Sequence, residues 1–479
     1  MVHGHECFLT ESIKERIWGK TLKQRLERTE ERHEYLEKQG FNVIVKWECE
    51  FQKECSTDKS LIKYLQRFKR PLDRKLYLTE KKIIEAIEND LVFGAAEVDL
   101  SVPPNLIDKF SEFSPIYVNA CVGFEDIGEH MQEYVKEKKL TKGPQKLLLG
   151  VMKAKKVLLA TPLLKWYLQH GLEITKIHQL IEFDLNNTPF KGFVNKVTED
   201  RRKGDVDPDK AILAMTSKLI GNCAFGSSLM RKQQHRDVFF SADKQRLSKM
   251  INDKRFMSLD ELDNGYCEVM MLKKKIVMNT PLTIGFFVLN YAKLRLLSYY
   301  YDFIDKYFDR RDYELIQCDT DSLYIAFSDS NIENLIKPDM IDDYKKNVNN
   351  WLPRKSPKEA TLYDNRKPGL FKLEYEGHVI VALNSKMYSI HNKDECHTKF
   401  SSKGVSKKHV TKPTEMYKTV LQTKETKAGS NTGFRLKDGA ILTYTQSRSS
   451  FTYYYIKRKV LEDGIHTTFL DIEPVIGKL

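Results

Sequence analysis

The stretch ELIQCDTDSLYIAF (314–327) sets two apolar runs around an acidic centre. Apolar runs separated by a short polar turn read as strand, turn and strand, that is, a hairpin. Asp319, Thr320, Asp321 and Ser322 form the centre. In extended backbone, residues i and i+2 face the same side, so Asp319 and Asp321 are expected to present two carboxylates together. Hard divalent cations such as Mg²⁺ take oxygen ligands of this kind. Two-metal phosphoryl transfer uses carboxylates that bridge ions about 4 Å apart. An isolated Asp-x-Asp is common in solvent-facing turns; its place at the tip of an apolar hairpin separates this one from that background.

Working upstream, Thr280 and Pro281 mark a helix start. A nearly all-apolar run follows to about Tyr307. A helix apolar on every side is expected to be buried in a large core. Residues 190–229 read as two helices, the basic FKGFVNKVTEDRRKG and the apolar AILAMTSKLIGNCAFGSSLM, joined by a turn at GDVDPD. Residues 162–170 read as a helix leading into a strand at 173–183, and 91–104 as a buried strand ended by prolines. Thr79 is a cap for a helix over 81–90. Residues 11–39 carry Leu22, Leu26 and Leu36 at helical spacing, with a stop at Gly40. Residues 41–47 alternate as a strand, and 53–75 form a basic linker. Downstream, 369–390 read as two strands. Helices and strands mix without regular alternation, which predicts an α+β fold.

The 479 residues correspond to two to four domains at about 100–200 residues each. A hydrophobic fraction of 41% excludes a disordered chain. Net charge +13 suits a partner rich in phosphates. The 8 cysteines include no C-x-x-C pair, which argues against a zinc ribbon and for free thiols in a reducing compartment. The N-terminal MVHGHECFLTESIKERIWGK has no apolar core, so no signal peptide is predicted. Apolar runs fall far short of the ~20 residues of a membrane span, and a soluble, intracellular protein with no membrane partner is expected.

The run CDTDSL resembles motif C, D-T-D-S, of the family B DNA polymerases. KLIGNCAFG (218–226) resembles that family's motif B: Lys218, Asn222 and Gly226 match, while Cys223 stands for the usual serine and Phe225 for the usual tyrosine. In NSKMYSI, Lys386 and Tyr388 resemble the K-x-Y motif that follows motif C. The order matches, and the resemblance covers about residues 20–475. It is to the protein-primed members found in Polinton/Maverick transposons, some viruses and organellar plasmids.

The resemblance implies a right-hand architecture: a palm with an antiparallel sheet, helical fingers and a small thumb. The implied boundaries are an N-terminal part of the palm at 81–183, fingers at 184–260, palm at 261–400 and thumb at 401–479. It implies DNA-directed DNA synthesis, a nucleotidyl transfer from dNTP to a primer 3′-hydroxyl, with two Mg²⁺ ions held by Asp321 and Asp319. Lys218, Asn222, Phe225 and Gly226 would meet the nucleotide, joined by Arg201 and Arg202 on the preceding helix; Lys386 and Tyr388 would support the primer. Primer–template DNA, dNTPs and a priming protein are the implied partners. A eukaryotic transposon product would be nuclear.

Motif A, D-x-x-S-L-Y-P, is not found. Asp99, in EVDLSVP, ends an apolar strand as the motif A aspartate does, and is the candidate third metal ligand, although no Tyr-Pro follows it. No D-x-E exonuclease strand lies in the first 80 or so residues. Residues 20–51 instead resemble the last helix and strand of a restriction-like nuclease, so residues 1–80 are expected to hold a partial nuclease-like module and the basic linker. Two further readings therefore stand beside the polymerase: an inactive transposon-derived fragment that retains DNA binding, and a nuclease accessory built on the N-terminal module.

Overall fold

The computed structural model describes residues 79–472 apart from 142, 184–187, 189, 263–264, 394–397 and 438–439, together with 16–17, 20–21, 30, 34, 37 and 38. The chain divides into two compact units, Met1–Leu78 and Thr79–Leu479. In the first, Arg16–Ile17 pairs antiparallel with Lys20–Thr21, and Glu30, Glu34, Glu37 and Lys38 are helical. The single helix expected over 11–39 therefore begins later. Gly19 lies between the paired dipeptides, and glycine weakens a helix interior by about 1 kcal/mol. The expected strand at 41–47 and the basic stretch at 53–75 lie outside the described residues.

The second unit is α+β, and its paired strands are antiparallel. Helix α1 (Glu80–Glu88) opens it, with the Thr79 hydroxyl accepting from Lys82 N–H. Strand β1 (Gly94–Ser101) follows, and its alternate residues Ala96, Val98 and Leu100 are buried. Strands β2 (Ile116–Val122) and β3 (Gln145–Val151) pair with each other, with helix α2 (Glu129–Glu137) between them in the chain. Strand β4 (Lys153–Ala160), helix α3 (Thr161–Gln169) and strand β5 (Glu173–Glu182) complete a three-stranded sheet in the order β4–β1–β5. The apolar run at 157–164 thus belongs half to a strand and half to a helix.

Helices α4 (Lys191–Val206) and α5 (Ala211–Ser228) form the expected pair. The turn falls three residues later than predicted, because Gly204, Asp205 and Val206 continue α4, and Asp207 instead caps the short turn at Pro208–Lys210 by accepting from Asp209 N–H. A small sheet of β6 (Arg236–Ser241), β7 (Phe256–Glu261) and β8 (Cys267–Leu272) packs Val269 and Met271 against Leu247 of helix α6 (Lys244–Ile251).

Helix α7 (Leu282–Ser298) continues through a π-helical segment, Tyr299–Ile304, to Tyr307. It is not buried on every side as its composition predicted. Leu282, Val288, Leu289 and Tyr291 are exposed along its first half, whose other side packs on α3, α5 and the end of β4. The second half is the core. Phe303 is fully buried, with Tyr299, Tyr307, Tyr344 and Trp351 ring centroids 5.2–5.8 Å away.

Strands β9 (Tyr313–Asp319) and β10 (Ser322–Phe327) then form the hairpin. Strands β11 (Val379–Asn384), β12 (Met387–His391) and β13 (Thr398–Ser401) form a meander. Two strands were expected over 369–390, but the first begins only at Val379, since residues 371–376 form no ladder. Helix α8 (Pro413–Thr423) packs Tyr417 and Val420 on that meander, and the long hairpin β14 (Lys427–Lys437)–β15 (Ala440–Phe451) adds Phe451 to the same core. Among the described residues no helix is long and apolar enough to cross a membrane.

Candidate functional site

The β9–β10 hairpin closes in two residues. Asp319 pairs with Ser322, and Thr320 and Asp321 make the turn. Asp321 N–H donates to Asp319 O (2.6 Å), and the Thr320 hydroxyl donates to the Asp319 carboxylate (3.1 Å). Thr320 has φ +56°, a region where a β-branched residue is an outlier. Asp321 therefore does not sit in extended backbone, and the i, i+2 argument does not apply to it. The tight turn, rather than the pleat, sets the two carboxylates. Asp321 is exposed and Asp319 half-buried.

A second tight turn meets the first. Strands β11 and β12 are joined at Ser385 and Lys386, with Asn384 opposite Met387. Lys386 has φ +63°. Its ammonium lies 3.2 Å from Asp319 Oδ1. Behind it, the Tyr324 hydroxyl donates to the Tyr388 hydroxyl (3.1 Å), with ring centroids 4.8 Å apart. The D-T-D-S and K-x-Y residues, some 65 positions apart, are thus side by side. Left-handed non-glycine residues cost about 1–3 kcal/mol and concentrate where function needs them. Two touching turns share this feature.

A third layer supports the hairpin from β2. The Tyr117 hydroxyl hydrogen-bonds the Cys318 thiol, whose pKa burial pushes up. Lys293 of α7 sits over the Tyr117 ring (4.8 Å) and the Tyr167 ring (5.6 Å). Burial under these rings brings the Lys293 pKa down to about 7. An unfolded lysine titrates near 10.4, so between about pH 7 and pH 10 the unfolded chain holds a proton that the folded one has shed. The folded state should gain stability as pH rises through this window. Lys293→Met is expected to melt higher than the parent at pH 6, by about 2 kcal/mol after the lost cation–π contact is offset. That advantage should fade toward pH 10. An advantage independent of pH would mean the amine stays charged.

The expected nucleotide face lies on α5. Lys218 and Asn222 are exposed and Phe225 is half-buried. Among the described residues, no hydrogen bond or ion pair joins Lys218 or Asn222 to the Asp319–Asp321 turn. A Cβ at Gly226 would meet nothing within 4 Å. Gly226→Ala should therefore raise stability by about 0.5–1 kcal/mol, the helix propensity gain. If that open space receives a nascent base pair, the same variant should raise the KM for dNTP. Unchanged kinetics would remove Gly226 from the site.

Arg201 and Arg202 are less free than a charge run suggests. The Arg202 guanidinium stacks on the Tyr363 ring (3.7 Å) and donates to Tyr363 O (3.3 Å). Arg201 is held near Asp205 and Arg366, and burial lowers its pKa. Arg366 grips Asp205 through two hydrogen bonds. Lys203 pairs with Asp200.

Asp99 is not brought to the turn. Its carboxylate accepts from Lys156 N–H (2.7 Å) and contacts His178 Nε2 (2.7 Å), within the β4–β1–β5 sheet. Among the described residues, no group of three or more His, Cys, Asp or Glu side chains is placed to hold a metal. The turn itself offers the carboxylates of Asp319 and Asp321, oxygen donors of the type Mg²⁺ takes together with substrate phosphates. A larger cavity, of about 510 Å³, is lined by Arg295, Asp302, Lys306 and Trp351 and includes none of these residues.

No protein family, curated protein or solved structure matches this chain.

Proposed function

We propose that the chain is a DNA-directed DNA polymerase of the family B, protein-primed type, extending a primer with dNTPs. One observation supports the reading above the others: the Asp319–Asp321 turn and the Lys386–Tyr388 turn meet, with Lys386 3.2 Å from Asp319. That contact sets an acidic pair against a cation and an aromatic pair, the mixture needed to hold phosphates and a strand end together.

In this reading the primer 3′-oxygen bonds to the α-phosphorus of the dNTP, the bond from that phosphorus to the α,β-bridging oxygen breaks, pyrophosphate leaves with the bonding pair, and the hydroxyl proton passes to solvent water. Asp321 and Asp319 would hold Mg²⁺, which when bound supplies charge neutralisation at the reacting phosphate. Lys386 keeps the Asp319 carboxylate in place and offers its ammonium to the primer backbone. Tyr388, fixed through Tyr324, packs beside the terminus. Lys218 steadies the triphosphate by placing positive charge against its oxygens.

A second reading is a DNA-binding relic of such an enzyme. It is favoured by Asp99, whose carboxylate is committed to His178 and Lys156. Primer extension in Mg²⁺ separates the two: the polymerase extends a bound primer, and the relic binds it without extension.

A further inference from the structure

Beside the two touching turns lies a cavity of about 280 Å³, lined by Asn384, Ser385, Lys403, Gly404, Arg448 and Ser450, among others. Its walls come from the β11–β12 turn, the segment after β13 and strand β15. Two of the lining side chains are cationic, and two more cations stand at its edge. Lys457 donates to the Ser385 hydroxyl (3.2 Å), and Lys386 is the next residue on that turn. Among the described residues, Asp319 is the one acid ion-paired with this group, through Lys386. Among the described residues, Lys403, Arg448 and Lys457 have no ion pair. Burial and the neighbouring Lys403 and Lys386 charges hold the Lys457 pKa below its usual value. Like charges gathered from four separate segments repel, and a buried or crowded cation is stabilised by an anion.

The cavity floor is shaped to leave donors free. Gly404 has φ +75°, and a Cβ there would come 3.3 Å from Arg448 Nη1 and 3.7 Å from Ser450 Oγ. With its amide oxygen turned toward Arg448, Gln446 accepts from Nε and Nη2 at 2.6 Å each. That grip fixes the guanidinium and leaves Nη1 lying over Gly404. A planar guanidinium, an ammonium and serine hydroxyls around an open floor match an oxyanion with several acceptor oxygens.

We propose that this cavity is a phosphodiester site, taking the backbone of a nucleic-acid strand whose end lies at the Asp319–Asp321 turn. The anion class follows from the cations. The assignment to a polynucleotide rests on the polymerase reading, because a free nucleotide triphosphate would offer the same oxygens.

The test is fluorescence anisotropy of a labelled primer–template duplex, without Mg²⁺ or dNTP, over a range of salt. Lys403 and Arg448 are exposed, so K403Q and R448Q should leave the melting temperature unchanged. The double variant is expected to weaken duplex binding about tenfold or more and to reduce the salt slope by about 2, since each phosphate contact contributes about 0.9. In the K403Q background, R448K should recover about half of the lost slope. Binding of a fluorescent dNTP should be unaffected. Duplex binding and slope unchanged in the double variant would overturn the proposal, as would a loss of dNTP affinity with duplex affinity intact, which would assign the cavity to the triphosphate. A parent that binds duplex through this cavity yet extends no primer would sink the polymerase reading and leave the phosphodiester site standing.

Discussion

Replacing Asp321 with asparagine is expected to slow single-turnover primer extension by about 10³-fold, on the order of 4 kcal/mol of transition-state stabilisation. Asparagine keeps the size of the side chain and removes its charge. Asp321 is exposed at the turn, so stability should change by less than about 0.5 kcal/mol. Primer–template affinity should stay within about twofold, because in the proposed reading cations, and not this carboxylate, meet the duplex backbone. The signature is a loss in the chemical step with binding preserved. Asp319→Asn differs in kind: it also removes the partner of Lys386, and should change duplex affinity as well as rate. Equal extension by the parent and Asp321→Asn would take Asp321 out of the catalytic role.

The second large effect concerns stability. Phe303→Ala is expected to cost about 3–5 kcal/mol in urea unfolding, the range for truncating a fully buried aromatic. Phe303 has no exposed surface, and its ring neighbours come from three directions: Tyr299 and Tyr307 on its own helical segment, Tyr344 on the short helix Ile341–Asn347, and Trp351 beyond it. The cluster also reaches the Asp319–Asp321 hairpin. Phe308 packs on Phe327 of β10, and Tyr300 lies against Tyr313, the first residue of β9. The same variant should therefore lower activity in step with the folded fraction. A loss below about 1 kcal/mol would mean that the ring is not part of the core.

The hairpin was legible because its punctuation is local. Two apolar runs and a two-residue polar turn need no distant partner to be recognised, and β9 and β10 follow them closely. The helix pair α4–α5 was legible for the same reason. The exposure of α7 was not, since composition reports how apolar a helix is but not how many neighbours cover it; Val288, Leu289 and Tyr291 lie on a face that α3 and α5 leave open. Strands β3 and β4 were missed because lysines interrupt their apolar pattern.

In the site, the neighbourhood of Asp319 and Lys386 follows the order of motifs in the chain, but the contact itself depends on two tight turns meeting. Asp99 could be read as a strand-end acid, yet its partners are fixed by register: Asp99 stands opposite Lys176, two residues from His178, and nothing local announces that pairing. Tyr117, Tyr324, Lys403, Arg448 and Lys457 escaped notice as site residues. Each is an ordinary residue in its own segment, and only the tertiary fold gathers them. The run YYYIKRK (453–459) is basic around Lys457, but a charge run alone is usually a solvated face.

The central claim is template-directed nucleotidyl transfer, and the most direct measurement is single-nucleotide incorporation. The protein is mixed with a labelled primer on a defined template in Mg²⁺, and each dNTP is supplied alone. The account predicts extension by one residue with the dNTP complementary to the template base, a change of identity when that base is changed, and loss of the product in Asp321→Asn. A protein that binds the primer–template, with affinity falling as salt rises, but incorporates none of the four dNTPs would contradict it.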